Sequence, residues 1–197
     1  MVDPARRQVD ERRRRRRRRR AAAATVFLLV SLGLAWFFES QATTTVIFVR
    51  YAEQEAGPNP GITPAGWRRA EELVRVLGDV DVIAGVDAIF ATRFRRTQET
   101  AEPLARHLDL PVQIVDAEDV DGLVERILLD HKGQIVLVVT NEVAMPQLIR
   151  NFKGSKRVPL IAPAEHDNLY IVSIPWYGKV KTLRLRYGEP FAGPPVP

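Results

Sequence analysis

The chain has 197 residues, 46% of them apolar, which suits one domain with a real core plus a modest extra segment and would be crowded for two domains. Its formal charge of +5 belongs to one end: residues 1–20 hold eleven of the 29 basic residues and three of the 24 acidic ones, which leaves 18 basic against 21 acidic residues, a net of −3, beyond Arg20. That split excludes a nucleic-acid function argued from overall charge, and zero cysteines exclude a disulfide framework or a thiolate zinc site.

Arg12 to Arg20 is an unbroken run of nine arginines, and Ala21 to Phe38 follows as 18 residues without a charge. As a helix rising about 1.5 Å per residue, that stretch spans roughly 27 Å, the hydrocarbon thickness of a thin bilayer. Apolar side chains on every face, next to a poly-arginine block, favour a membrane span over a buried core helix. Positive charge stays on the cytoplasmic side. Residues 1–20 are therefore expected as a cytoplasmic tail, 21–38 as a single-pass anchor, and everything from residue 39 as an extracytoplasmic body. The arginines would also meet anionic lipid headgroups. They have no aromatic or base-reading neighbours suited to nucleic acid. The competing interpretation is a signal peptide cleaved near Ala42, because Ser40-Gln41-Ala42 offers small residues to a signal peptidase; the bulky Trp36-Phe37-Phe38 and the long apolar run favour an uncleaved anchor.

From Thr43 short apolar runs alternate with amphipathic stretches, the pattern of a layered α/β domain with a mostly parallel sheet. Thr43 to Arg50 is β-branched and predicts a buried strand. Thr63-Pro64 supplies an N-cap and a first-turn proline for a helix over Ala65 to Leu77. Ala88 to Ala91 predicts a strand, Thr97 to His107 a helix, Val112 to Val115 an edge strand and Val120 to His131 a second amphipathic helix. Gln134 to Thr140 is the most apolar strand and belongs at the centre of the sheet. Pro146 to Phe152 predicts a short helix, and Leu169 to Ile174 with Lys179 to Arg186 a closing antiparallel hairpin around Tyr177-Gly178. The Pro- and Gly-rich residues 188–197 predict a disordered or loosely packed tail.

Ligands of open α/β sheets gather at the carboxyl ends of the strands. Three segments end there: Arg50-Tyr51-Ala52-Glu53, Thr92-Arg93-Phe94-Arg95-Arg96 and Thr140-Asn141-Glu142. Arginines converging with helix N-termini form an anion site, unless Glu53, Glu99 and Glu102 simply neutralise them. His107 and His131 stand at helix ends, where a cation is stabilising. His107, His131 and His166 lack metal-ligand spacing, so neither a metal nor a cofactor is expected.

The segments VRYAE, ITPAGWRRAEEL, IFATRFRRTQETAEPLA, VLVVTNEVAMPQLI and HDNLYIVSIP together resemble the histidine phosphatase superfamily, the phosphoglycerate-mutase-like group. The likeness runs in order from Thr43 to Tyr187. It implies a three-layer α/β body over residues 39–187, with Arg50 and Arg96 as phosphate-clamping arginines and Glu53 as pocket support. It also places Tyr51 where the family has its nucleophilic histidine and Asn141 where the second pocket histidine belongs. Imidazole offers a nucleophile at neutral pH, whereas a phenol is ionised to only about one part in a thousand. Loss of a nucleophile usually costs on the order of 10³-fold or more in rate. Asn141 still carries an amide donor for a phosphate oxygen, so binding is expected to outlast catalysis. His166 is the best substitute nucleophile among the remaining histidines, although it matches no catalytic position and reads more simply as a loop histidine. Glu118 and Asp119 read as solvated loop charges; Trp67, Tyr170 and Trp176 read as core or edge packing. The sequence therefore points to a membrane-anchored, catalytically inactive phosphatase-like domain that binds a phosphorylated ligand or a protein partner. The alternatives are a diverged phosphomonoester hydrolase and a structural subunit of a membrane complex.

Overall fold

The computed structural model describes residues 4–39, 43–78 and 85–193 and divides the chain into two compact units, Met1–Gln41 and Ala42–Pro197. The first unit is one helix, α1 (Pro4–Glu39). Its Arg15–Phe37 portion is long and apolar enough to cross a membrane, and its side chains find no protein core. A helix of that composition near an N-terminus fits a membrane anchor or a signal sequence. The cleavage sequence Ser40-Gln41-Ala42 lies outside the described residues.

The body runs β1 (Thr44–Arg50), α2 (Pro64–Leu77), β2 (Ala88–Thr92), α3 (Arg95–His107), β3 (Val112–Val115), α4 (Val120–Asp130), β4 (Ile135–Thr140), α5 (Ala144–Asn151), β5 (Asn168–Ile174) and β6 (Lys181–Arg186). The six strands form one mixed, mostly parallel sheet in the order β3-β2-β4-β1-β5-β6. Strands β1 to β4 are mutually parallel, and β5 and β6 close one edge as an antiparallel hairpin. The most apolar run, β4, sits inside the sheet between β2 and β1, where both of its faces are covered. Strand alternation splits the core in two. Val46 and Phe48 of β1 pack with α4 and α5 on one face, and Ile47 and Val49 pack with α2 and α3 on the other.

Local chemistry sets the boundaries. The Thr63 hydroxyl caps α2 by accepting from Gly66 N at 3.1 Å, with Pro64 in the first turn where no amide is needed. Gly66 is there because a Cβ would press into the Glu53 carbonyl oxygen, and that close approach seats the first turn of α2 on the chain leaving β1. Two helices start earlier than the sequence suggests. The sequence starts the body's second helix at Thr97, yet that residue's hydroxyl donates to the Phe94 carbonyl at 2.7 Å, and α3 begins at Arg95. Asn141 Oδ1 accepts from Val143 N at 2.9 Å and Ala144 N at 2.7 Å, which starts α5 at Ala144 and leaves Pro146 in its first turn. The start of the C-terminal tail is tied down rather than loose: Glu189 O accepts from Arg69 Nη2 at 3.1 Å and Phe191 N donates to Asp167 Oδ2 at 3.0 Å. Residues 194–197 lie outside the described residues.

Candidate functional site

Arg50 closes β1 in register with Thr140 at the end of β4, so the carboxyl ends of β1, β2 and β4 meet at one edge. The Arg50 side chain does not reach toward solvent; it is buried. Its Nη1 donates to the carbonyls of Ala162 at 2.8 Å and Glu165 at 3.2 Å, and its Nη2 donates to the Tyr51 hydroxyl at 3.1 Å. Its Nε lies 3.2 Å from Glu142 Oε2, an ion pair without an aligned hydrogen bond. A guanidinium has five N–H donors, and this one spends most of them inside the protein.

Tyr51 is only 5% exposed and lies between two cations. Arg50 Cζ is 4.9 Å and Arg96 Cζ 4.5 Å from the centre of its ring. Arg96, on the first turn of α3, also lies 4.7 Å from the centre of the Phe94 ring, so two aromatic faces hold its guanidinium. Arg96 Nε is buried without a hydrogen-bond partner among the described residues. The resemblance's two arginines thus do converge, but on the Tyr51 ring. Asn141 stands on the same edge, with its side-chain oxygen spent on the turn into α5.

His166 is brought to this edge by the loop before β5. It is 8% exposed, and its Nδ1 is 2.8 Å from the Tyr51 carbonyl. A carbonyl only accepts, so Nδ1 carries the proton and the lone pair sits on Nε2. Burial first, and the Arg50 charge second, hold this imidazole below the ordinary histidine pKa. The linkage follows. Below about pH 6.5 the unfolded chain takes up a proton that folded His166 refuses, so stability is full above that pH and falls as pH drops. The unfolding free energy should decline from pH 6.5 toward pH 5, and His166→Gln should flatten that decline when urea unfolding is followed across the same range.

Glu53 pairs with a third arginine, Arg69. It takes Arg69 Nε and Nη2 at 2.9 and 2.7 Å on Oε1. Burial opposes its ionisation most strongly, but the Arg69 hydrogen bond, a backbone amide and the Arg69 charge together keep the carboxyl below the usual glutamate range. Arg69, about one and a half turns past the capped start of α2, gave no signal of this role in the sequence. A second unforeseen network supports the His166 loop. Arg184 Nη2 and Arg186 Nη2 donate to Glu165 Oε1 at 2.6 and 3.1 Å, and Arg186 Nη1 donates to Asp167 Oδ2 at 2.6 Å. Its signal was legible in retrospect: arginines two apart on β6 opposite acids two apart in Glu165-His166-Asp167.

Of the other singled-out residues, Asp119 caps α4 by accepting from Gly122 N at 2.9 Å, while Glu118 is exposed. His131 follows α4, with Nδ1 2.6 Å from Gln134 Oε1, and His107 ends α3. Tyr170 is core; Trp67 is partly buried; Trp176 is 52% exposed. Cavities of about 210 and 120 Å³ open beside Glu53 and Arg69 and beside Arg184 and Arg186, and neither is lined by Arg50, Tyr51 or Arg96. Among the described residues no group of three or more acids and histidines is placed to hold a metal ion.

Residues 46–119 match the histidine phosphatase superfamily (branch 1), a span that includes Arg50, Tyr51, Glu53 and Arg96. This segment is similar to that superfamily. The elements around Asn141 and His166 lie beyond it and are carried by the fold. No curated protein matches the chain by sequence. Among solved structures, the protein histidine phosphatase SixA complexed with tungstate superposes with a TM-score of 0.55 at 14% identity, covering 72% of this chain and 96% of its own. A mycobacterial glucosyl-3-phosphoglycerate phosphatase does so at 0.52 and 11%, covering 66% and 90%. A structure described as mycobacterial hydrolase 2 gives 0.55 and 11%, covering 77% and 94%. At these identities the structures establish the histidine phosphatase fold for the body.

Proposed function

We propose that the chain is a membrane-anchored, catalytically inactive histidine phosphatase-like domain, with Tyr51 at the position of the nucleophile and Asn141 at that of the second pocket histidine. The observation that carries this is the Tyr51 ring itself. It fills the space between Arg50 and Arg96, within 4.9 and 4.5 Å of their guanidinium carbons, and its hydroxyl is engaged by Arg50 Nη2. A phosphoryl group clamped by both arginines would need that space. The residual capacity is binding: with the ring swung out, Arg96 Nε and the second N–H of Arg50 Nη2 become available to a phosphorylated ligand or the anionic side chain of a protein partner.

Incubating the chain with a phosphomonoester such as p-nitrophenyl phosphate is expected to give neither multiple turnover nor a phosphoenzyme by mass spectrometry. Tyr51→Ala is expected to bind inorganic phosphate several-fold more tightly than the parent by calorimetry. A phosphoenzyme in the parent overturns the proposal.

The geometry also favours one alternative, a diverged phosphohydrolase acting through His166. Its Nδ1 is locked on the Tyr51 carbonyl at 2.8 Å, and the imidazole is held neutral beside Arg50. Activity in the parent that disappears in His166→Gln would select this alternative.

A further inference from the structure

At the end of the sheet opposite Arg50, β5 turns into β6 through a hairpin. The register pairs Thr44 with Ile174 and Ser173 with Lys181, so this turn stands beside the first residue of β1. Trp176 and Tyr177 form its tip, 52% and 86% exposed, with their ring centres 6.5 Å apart. Lys179 and Lys181 are exposed in the hairpin. Lys153 and Lys156 are exposed in the segment after α5, which Ser155 N ties to Thr182 Oγ1 at 2.9 Å. The four lysines therefore make a basic corner on a body whose net charge is −3.

Exposed Trp and Tyr rings flanked by lysines suit a membrane–water interface, where the rings lie at headgroup level and the cations are attracted to anionic lipid. From Glu39, the end of α1, to Thr44 the chain can extend at most roughly 18 Å, less than the body's diameter on the order of 40 Å. Thr44 is thus tethered within that reach of any bilayer that α1 enters.

We propose that the β5–β6 hairpin docks on that bilayer, with Trp176 and Tyr177 in the headgroup layer and Lys153, Lys156, Lys179 and Lys181 on anionic lipid. The proposal rests on α1 being an uncleaved membrane anchor. Docked in this way, the Arg50–Tyr51–Arg96 edge lies a full strand, roughly 20 Å, further from the lipid and faces soluble or peripheral partners.

The chain contains no cysteine, so single cysteines can carry an environment-sensitive fluorophore without background. The full chain would be labelled at Tyr177→Cys, at Leu29→Cys in α1, and at Val143→Cys, an exposed position on the opposite edge. It would be reconstituted in vesicles of phosphatidylcholine and phosphatidylglycerol containing nitroxide-labelled lipid. Labels at 29 and 177 are expected to be blue-shifted and quenched several-fold more than the label at 143, and Lys179→Glu with Lys181→Glu should reduce quenching at 177 alone. If 29 is quenched while 177 behaves like 143, the docking proposal is overturned and the anchor stands. If 29 is not quenched, the anchor itself fails, and the docking with it.

Discussion

Replacing Tyr51 and Asn141 together by histidine is expected to create phosphomonoesterase activity about 10³-fold or more above the parent, the scale that a nucleophile usually contributes. Arg50 and Arg96 already flank position 51, β1 and β4 hold positions 51 and 141 at one sheet edge, and Gly66 seats α2 against the chain behind Glu53. Histidine is smaller than tyrosine, so the substitution vacates part of the space between the guanidinium groups and supplies a lone pair at neutral pH. One cost is known in advance. Asn141 starts α5 through two amide hydrogen bonds, and losing that cap should cost about 1 kcal/mol. Turnover of p-nitrophenyl phosphate and trapping of phosphohistidine at position 51, with circular dichroism as the folding control, measure the outcome. A folded but inert double variant would mean that the pocket has diverged beyond these two residues, since positioning errors near 1 Å already cost on the order of 10²-fold.

Arg50→Met is expected to destabilise the body by about 3–5 kcal/mol, because the buried guanidinium serves the fold before it serves any ligand. Its removal strands the Glu165 carbonyl, leaves that of Ala162 with only the Glu165 amide, and leaves Glu142 without its cation, while methionine keeps the packing of the stem. Arg96→Met should cost less than about 1 kcal/mol, since among the described residues Arg96 has the faces of Tyr51 and Phe94 to lose. Urea unfolding of residues 43–197, which hold their own core on both sheet faces, gives both numbers from the midpoint at constant slope. Equal effects at the two positions would contradict the structural role assigned to Arg50.

The scaffold was legible in the amino acids because its signals are local. β-Branched runs fixed β1 and β4, Thr63-Pro64 fixed the start of α2, and the spacing of apolar residues fixed the helices, since each depends on neighbours within a turn or a strand. The edge that gathers Arg50, Tyr51, Arg96 and Asn141 was legible for the same reason, once the strands were ordered so that their carboxyl ends coincide. The N-terminal helix was legible from an apolar run beside nine arginines, a property of composition alone.

What each side chain does at that edge was decided by tertiary structure. Glu53 could have faced either arginine pair, and only the seating of α2 gave it to Arg69. Asn141 reads as a pocket donor until the turn into α5 claims its oxygen. His166, 115 residues from Tyr51, becomes a buried neutral imidazole only because Arg184 and Arg186 brace its loop from the far side of the hairpin. Hydrogen bonds and ion pairs of this kind act over about 3 Å, while the residues that make them stand a hundred positions apart. Sequence by itself therefore determined which residues reach the edge of the sheet, and the packed fold determined which of them remain available to a ligand.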